Sequence, residues 1–144
     1  MKNNAGVTLM EMLVVVFLVG LLASISFPAV SSGVDSLRLN SASDAVASFL
    51  NSALNRAERR QQVMEIAASK EENKLTMRST EKGFLRELNM PQGVTVQTDA
   101  RVVLSPGGTV PRIGVMLANR RGAKRLIRVD PIVGIPEIET PKEQ

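Results

Sequence analysis

Glu11 is the one charged residue in the 21-residue apolar stretch from Val7 to Phe27, VTLMEMLVVVFLVGLLASISF. A carboxylate deep in a membrane helix costs on the order of 3 kcal/mol, so such an acid is a candidate for function. A free amino group at Val7 would lie four residues from it. Residues four apart on a helix share a face, so the two could pair. The partner amine is either the chain's own or a neighbour's; alternatively Glu11 sits protonated one turn inside the headgroups. A second group is Arg120, Arg121, Lys124, Arg125 and Arg128, with no acid between Asp99 and Asp130. Such a cluster could contact phosphates in a salt-sensitive way without reading sequence. A solvated or subunit-facing turn is the commoner reading, since Tyr and Trp are absent and neither Phe49 nor Phe84 is near it for base stacking.

The chain has no Cys and no His. That excludes a structural zinc site, a Ser-His-Asp triad, a cysteine nucleophile, a haem attachment and a disulfide. No cofactor and no metal are expected. Glu137 and Glu139 are available carboxylates, but they fall in an expected charged tail and not in a pocket. A membrane-anchored enzyme is therefore a poor reading, and no catalytic residue is assigned.

The elements that must hold these groups follow from patterning. As a helix, Val7–Phe27 would be roughly 31 Å long, close to a bilayer's hydrocarbon thickness. A cleaved secretory signal ending near Ser24-Ile25-Ser26 is the competing reading. The run is longer than the usual ~7–15-residue apolar region of a signal peptide, and it carries an acid. Lys2 precedes the run and Arg38 is the first basic residue after it, which places the N-terminus on the cytoplasmic side and the remainder beyond the membrane. The 144 residues suit one domain behind that anchor.

Between Asp35 and Lys82 there is neither Gly nor Pro, whereas six of the seven Pro and seven of the ten Gly lie from residue 83 onward. Ala42, Ala45, Val46, Phe49, Leu50, Ala53, Leu54, Ala57, Met64 and Ala68 recur at helical spacing. One helix is predicted from about Thr8 to about Ala68, bent near Pro28 and Gly33. Strands are expected at Leu75–Met77, Phe84–Leu85, Val94–Val96, Arg101–Ser105, Arg112–Ala118 and Lys124–Asp130. Pro106-Gly107-Gly108 reads as a hairpin joining the fourth and fifth of these. The expectation is an α+β fold: a long helix, apolar then amphipathic, packed on an antiparallel meander, with a frayed tail from Glu137.

The junction Ala5-Gly6-Val7-Thr8-Leu9-Met10-Glu11 resembles the signal of type IV pilins and type II secretion pseudopilins. The match continues through Leu13–Val16 and Leu18–Ala23, and Pro28 falls where pilins commonly carry proline. Val7 stands where the family usually has Phe, and Met10 and Met12 where Ile and Leu are more usual. The resemblance implies a leader 1–6, a transmembrane helix half 7–28, an amphipathic half 29–70 and a β domain 71–144. It implies cleavage between Gly6 and Val7 by a prepilin peptidase, methylation of the Val7 amine, and an assembly-register role for Glu11. The partners implied are other pilins or pseudopilins in a filament and the inner membrane, crossed once with the β domain in the periplasm. The Val102–Gly107 and Leu126–Gly134 region looks like the GspH/FimT group of minor subunits. That suggests a short type II secretion filament, or alternatively a minor pilin of a type IV pilus that contacts DNA through the 120–128 turn.

Overall fold

The computed structural model describes residues 7–80 and 83–141, with the backbone alone at 27–29. The chain divides into two units, Met1–Val34 and Asp35–Gln144. A single helix, α1 (Leu9–Arg60), supplies most of the first unit and the opening of the second. Its helical assignment is continuous through Pro28 and Gly33.

In the first unit every residue from Val7 to Ser26 is exposed, including Leu9 at 80%, Phe17 at 65% and Leu22 at 66%. Fully burying one such side chain is worth roughly 1.5–3 kcal/mol, so a surface of this kind needs an apolar environment. By length and composition this helix can cross a membrane. It fits a single membrane anchor.

In the second unit α1 presents Leu39, Ala42, Val46, Phe49, Leu50, Ala53 and Ala57 to the core, a pattern of three- and four-residue steps, with Phe49 and Leu50 adjacent, that keeps one face turned inward. Eight strands follow: β1 (Met64–Ser69), β2 (Lys74–Ser79), β3 (Leu85–Asn89), β4 (Val94–Val96), β5 (Ala100–Leu104), β6 (Gly114–Asn119), β7 (Lys124–Val129) and β8 (Pro136–Glu139). They form two antiparallel four-stranded sheets, β3-β2-β1-β5 and β4-β6-β7-β8. Met64, Ile66, Leu75, Met77 and Leu104 of the first sheet share one core with Val94, Val96, Val115, Leu117, Ile127 and Val129 of the second, and with the helix. Ile113, Val115 and Leu117 are buried in alternation, as their spacing predicts.

Three expectations are corrected. First, the helix stops at Arg60, and Met64–Ser69 is a strand. Gln61 adopts φ 51°, its N–H donates to Glu58 O at 3.4 Å, and Gln62 N–H donates to Ala57 O at 3.2 Å. Those two bonds close the helix in a Schellman turn, with Gln in the left-handed position usually held by Gly. Met64, Ile66 and Ala68 are buried in alternation. Met64 and Ala68 are four apart, a separation that fits a helical stripe and one face of a strand equally well.

Second, the strands are not one meander. Gln97–Asp99 carries the chain from one sheet to the other. Gln97 N–H donates to Met116 O at 2.8 Å, and Asp99 Oδ1 accepts Lys70 N–H at 2.7 Å. Consequently β5 pairs with β1, and Pro106-Gly107-Gly108 joins strands of different sheets instead of turning a hairpin. Third, Glu137 and Glu139 lie in β8, paired along β7, rather than in a frayed tail.

Candidate functional site

The N-terminal segment places its groups at a helix end. Val7 and Thr8 precede α1, and Gly6 lies outside the described residues. Thr8 is the cap: its Oγ1 accepts Glu11 N–H at 3.2 Å and its carbonyl accepts Met12 N–H at 3.2 Å. The Thr8-x-x-Glu11 spacing is that of a capping box, here with the hydroxyl half formed. Glu11 sits in the first turn, where unpaired N–H groups and the helix dipole favour a negative charge. Val7 therefore stands ahead of the helix end, not on a shared helical face with Glu11 as the i, i+4 argument assumed. A carboxylate there still lies close in sequence to any amine created at Val7. Thr8 is legible in the sequence as T-x-x-E just before an apolar run, a signal that the i, i+4 spacing of Val7 and Glu11 masks.

The basic turn joins β6 and β7 in a hydrogen-bonded hairpin. Asn119, only 8% exposed, accepts Arg121 N–H at 3.0 Å and Ala123 N–H at 2.9 Å on Oδ1. Gly122 takes φ 83°, and its N–H donates to Asn119 O at 3.1 Å. The five cations are not presented as one array. Arg121 Nε donates to Asp35 Oδ2 at 3.2 Å, tying the turn to the helix. Arg128 Nη2 pairs with Glu139 Oε1 at 2.6 Å across β7 and β8. The Arg120 side chain lies along Gly93, with its Nε 3.3 Å from where a Cβ would stand. Lys124 is exposed, and half-buried Arg125 donates to the Lys124 carbonyl at 3.2 Å. Asp35 and Glu139 are distant in sequence from the turn, so counting local acids could not reveal these pairs.

The next loop is held by Asp130. Its Oδ1 accepts Ile132 N–H at 2.7 Å and Val133 N–H at 3.0 Å. The N–H groups of Val133 and then Ile132 hold the carboxyl below its ordinary range, with Arg128 adding a smaller effect in the same direction. The exposed loop carries Ile132 at 91% exposure.

No curated protein and no solved structure matches the chain. The apolar, acid-bearing helix start is where a match is found: residues 1–27 carry the prokaryotic N-terminal methylation motif, the prepilin signature of type IV pilins and pseudopilins.

Proposed function

We propose that the protein is a minor pseudopilin, a structural subunit of a short type II secretion filament and not an enzyme. The observation that carries this reading is the methylation motif over residues 1–27, together with the exposed apolar helix that follows its junction. A prepilin peptidase hydrolyses the Gly6–Val7 amide and frees the Val7 amine, which is then methylated. Loss of the leader removes Lys2, leaving 17 basic and 14 acidic side chains, a net charge of +3 against +4 for the precursor.

The freed amine is cationic near neutral pH. In a low-dielectric surrounding a carboxylate is tolerated when paired. Glu11 meets that amine, its own or a neighbour's, and in the second case the pair fixes the axial step between subunits. The apolar helix sits in the inner membrane before assembly and against other pilin helices afterwards. Asp35–Gln144 lies in the periplasm and supplies the lateral contacts. The pairing of Arg121 with Asp35 and of Arg128 with Glu139 weighs against the 120–128 turn as a nucleic-acid surface.

Mass spectrometry of the membrane-extracted protein is the direct test. A mature N-terminus at methylated Val7 is expected. A terminus at Phe27, or an unprocessed chain, overturns the reading. Deleting the gene should abolish secretion; intact secretion with lost piliation would instead put the subunit in a type IV pilus.

A further inference from the structure

Two arginine–aromatic stacks tie the end of α1 to β3. The Arg56 guanidinium carbon lies 3.6 Å from the centroid of the Phe84 ring, and that of Arg86 lies 6.0 Å from the centroid of Phe49. Phe49 and Arg56 are two turns apart on one face of the helix. Phe84 and Arg86 are two apart along the chain at β3, so each element contributes one ring and one cation. Phe49 and Phe84 are the two aromatic residues beyond the apolar helix, and both are engaged this way.

Stacking fixes Arg56 where the last turn of α1 adds Arg59 and Arg60, both exposed. With Ser52 and Asn55 these three arginines line an open cavity of about 380 Å³. Among the described residues, none of the three is in an ion pair. The one acid in their stretch of helix, Glu58, accepts Gly107 N–H at 3.1 Å. The Arg56 Nε is buried with no acceptor among the described residues. Among the described residues, the cavity lining thus holds three cations, no carboxylate and no apolar side chain.

That lining selects a ligand class. Three arginines with no acid among the described lining residues favour an anion over a cation, and a lining of Ser52, Asn55 and arginines favours a polar ligand over a greasy one. Phe84 is already covered by Arg56, so no free ring faces a nucleobase. Guanidinium forks match the oxygen geometry of phosphate bidentately, and the repulsion between like charges is relieved when an anion enters. We propose that Arg56, Arg59 and Arg60 form a phosphate-binding site at the end of α1, taking either free phosphate or the phosphate of an anionic lipid headgroup.

The test uses the full chain in non-ionic micelles at low ionic strength, followed by NMR of the arginine Nε–H groups. The Arg56 Nε–H, a buried donor, is the reporter. Inorganic phosphate is titrated in one arm and phosphatidylglycerol in the other, with sodium chloride at matched ionic strength as control. A saturable shift is expected, with apparent affinity lowered at least tenfold in Arg59→Gln/Arg60→Gln and unchanged in Arg120→Gln/Lys124→Gln. Both substituted arginines are exposed, and Arg56 keeps its stack on Phe84, so folding is preserved. A response to phosphatidylglycerol alone assigns the headgroup; a response to inorganic phosphate assigns free phosphate. No saturable shift with either probe, an equal shift with chloride, or undiminished affinity in the double variant overturns the site.

Discussion

The Thr8 hydroxyl accepts the Glu11 backbone N–H at 3.2 Å, and that contact sets where α1 begins. It satisfies one of the donors left open at a helix start. The residue that starts the helix and the residue proposed to set the filament register are thus three apart and separable by mutation.

Thr8→Ala removes the cap and should cost about 0.5–2 kcal/mol of local helix stability, seen as faster amide exchange at Leu9–Met12 in micelles. Filament incorporation should persist. Glu11→Ala should do the reverse: cleavage and methylation continue, while incorporation drops on the order of tenfold or more, as expected when a charge pair worth a few kcal/mol in lipid is lost. Quantitative immunoblotting of sheared filaments reads both. Equal incorporation of Glu11→Ala and the wild type would remove the pairing role.

Asn73 links the two sheets through its side chain. Its Oδ1 accepts Val96 N–H at 2.8 Å and its Nδ2 donates to Val94 O at 3.0 Å, so an amide stands where a further strand would pair along the free edge of β4. Asn73→Ala strands both backbone groups and also loses a residue suited to φ 50°. The expected cost is about 1–3 kcal/mol. Asn73→Gly keeps the backbone conformation and loses only the two bonds. Thermal unfolding followed by circular dichroism should place both variants below wild type, with Ala lowest. A Gly variant as stable as the wild type would show that the link contributes nothing.

The sequence displays the methylation motif at its amino terminus plainly and its strand topology much less well. The methylation motif and the unbroken apolar run are readable because each is a local pattern in the chain. The helical face from Ala42 to Ala57 was readable for the same reason, since spacing alone defines it. The helix end and the β1–β2 turn are hidden because Gln61 and Asn73, respectively, turn the chain in left-handed conformations without glycine. β5 was seen as a strand, but its partner β1 lies some 35 residues earlier, and nothing local to Ala100–Leu104 specifies that pairing. The charge cluster at 120–128 was visible as composition, while Asp35 and Glu139, which pair with two of its members, were brought there by the fold.

Gln61 offers a test of the helix stop. At φ 51° a Cβ is unfavourable, by roughly 1–2 kcal/mol for an ordinary residue. Gln61→Gly relieves that strain but gives up unfolded-state restriction and the side-chain bond from Nε2 to Glu58 O at 2.7 Å, which water can replace at this exposed site. A net gain of about 0.5–1 kcal/mol is expected. Gln61→Val should lose about 1–2 kcal/mol, because a β-branched residue tolerates the left-handed region poorly. Chemical denaturation ranks the three chains. Val equal to or above Gly would mean that the helix is not closed by this turn.

Asp130 gives the acid-side pH dependence a specific address. Its carboxyl is held below the ordinary value of 3.8, first by the Val133 N–H and then by that of Ile132. A depressed folded-state pKa contributes stability that is present above the unfolded value and is lost as pH falls through the folded one. The loop carrying Ile132 should therefore loosen below pH 3.8, as its ionised anchor becomes protonated. Asp130→Asn keeps an acceptor oxygen without the titration. Amide exchange at Ile132 and Val133, measured from neutral pH downward and corrected for intrinsic rates, should show a step in the wild type and none in the variant. A step of the same size in Asp130→Asn would assign the transition to another group.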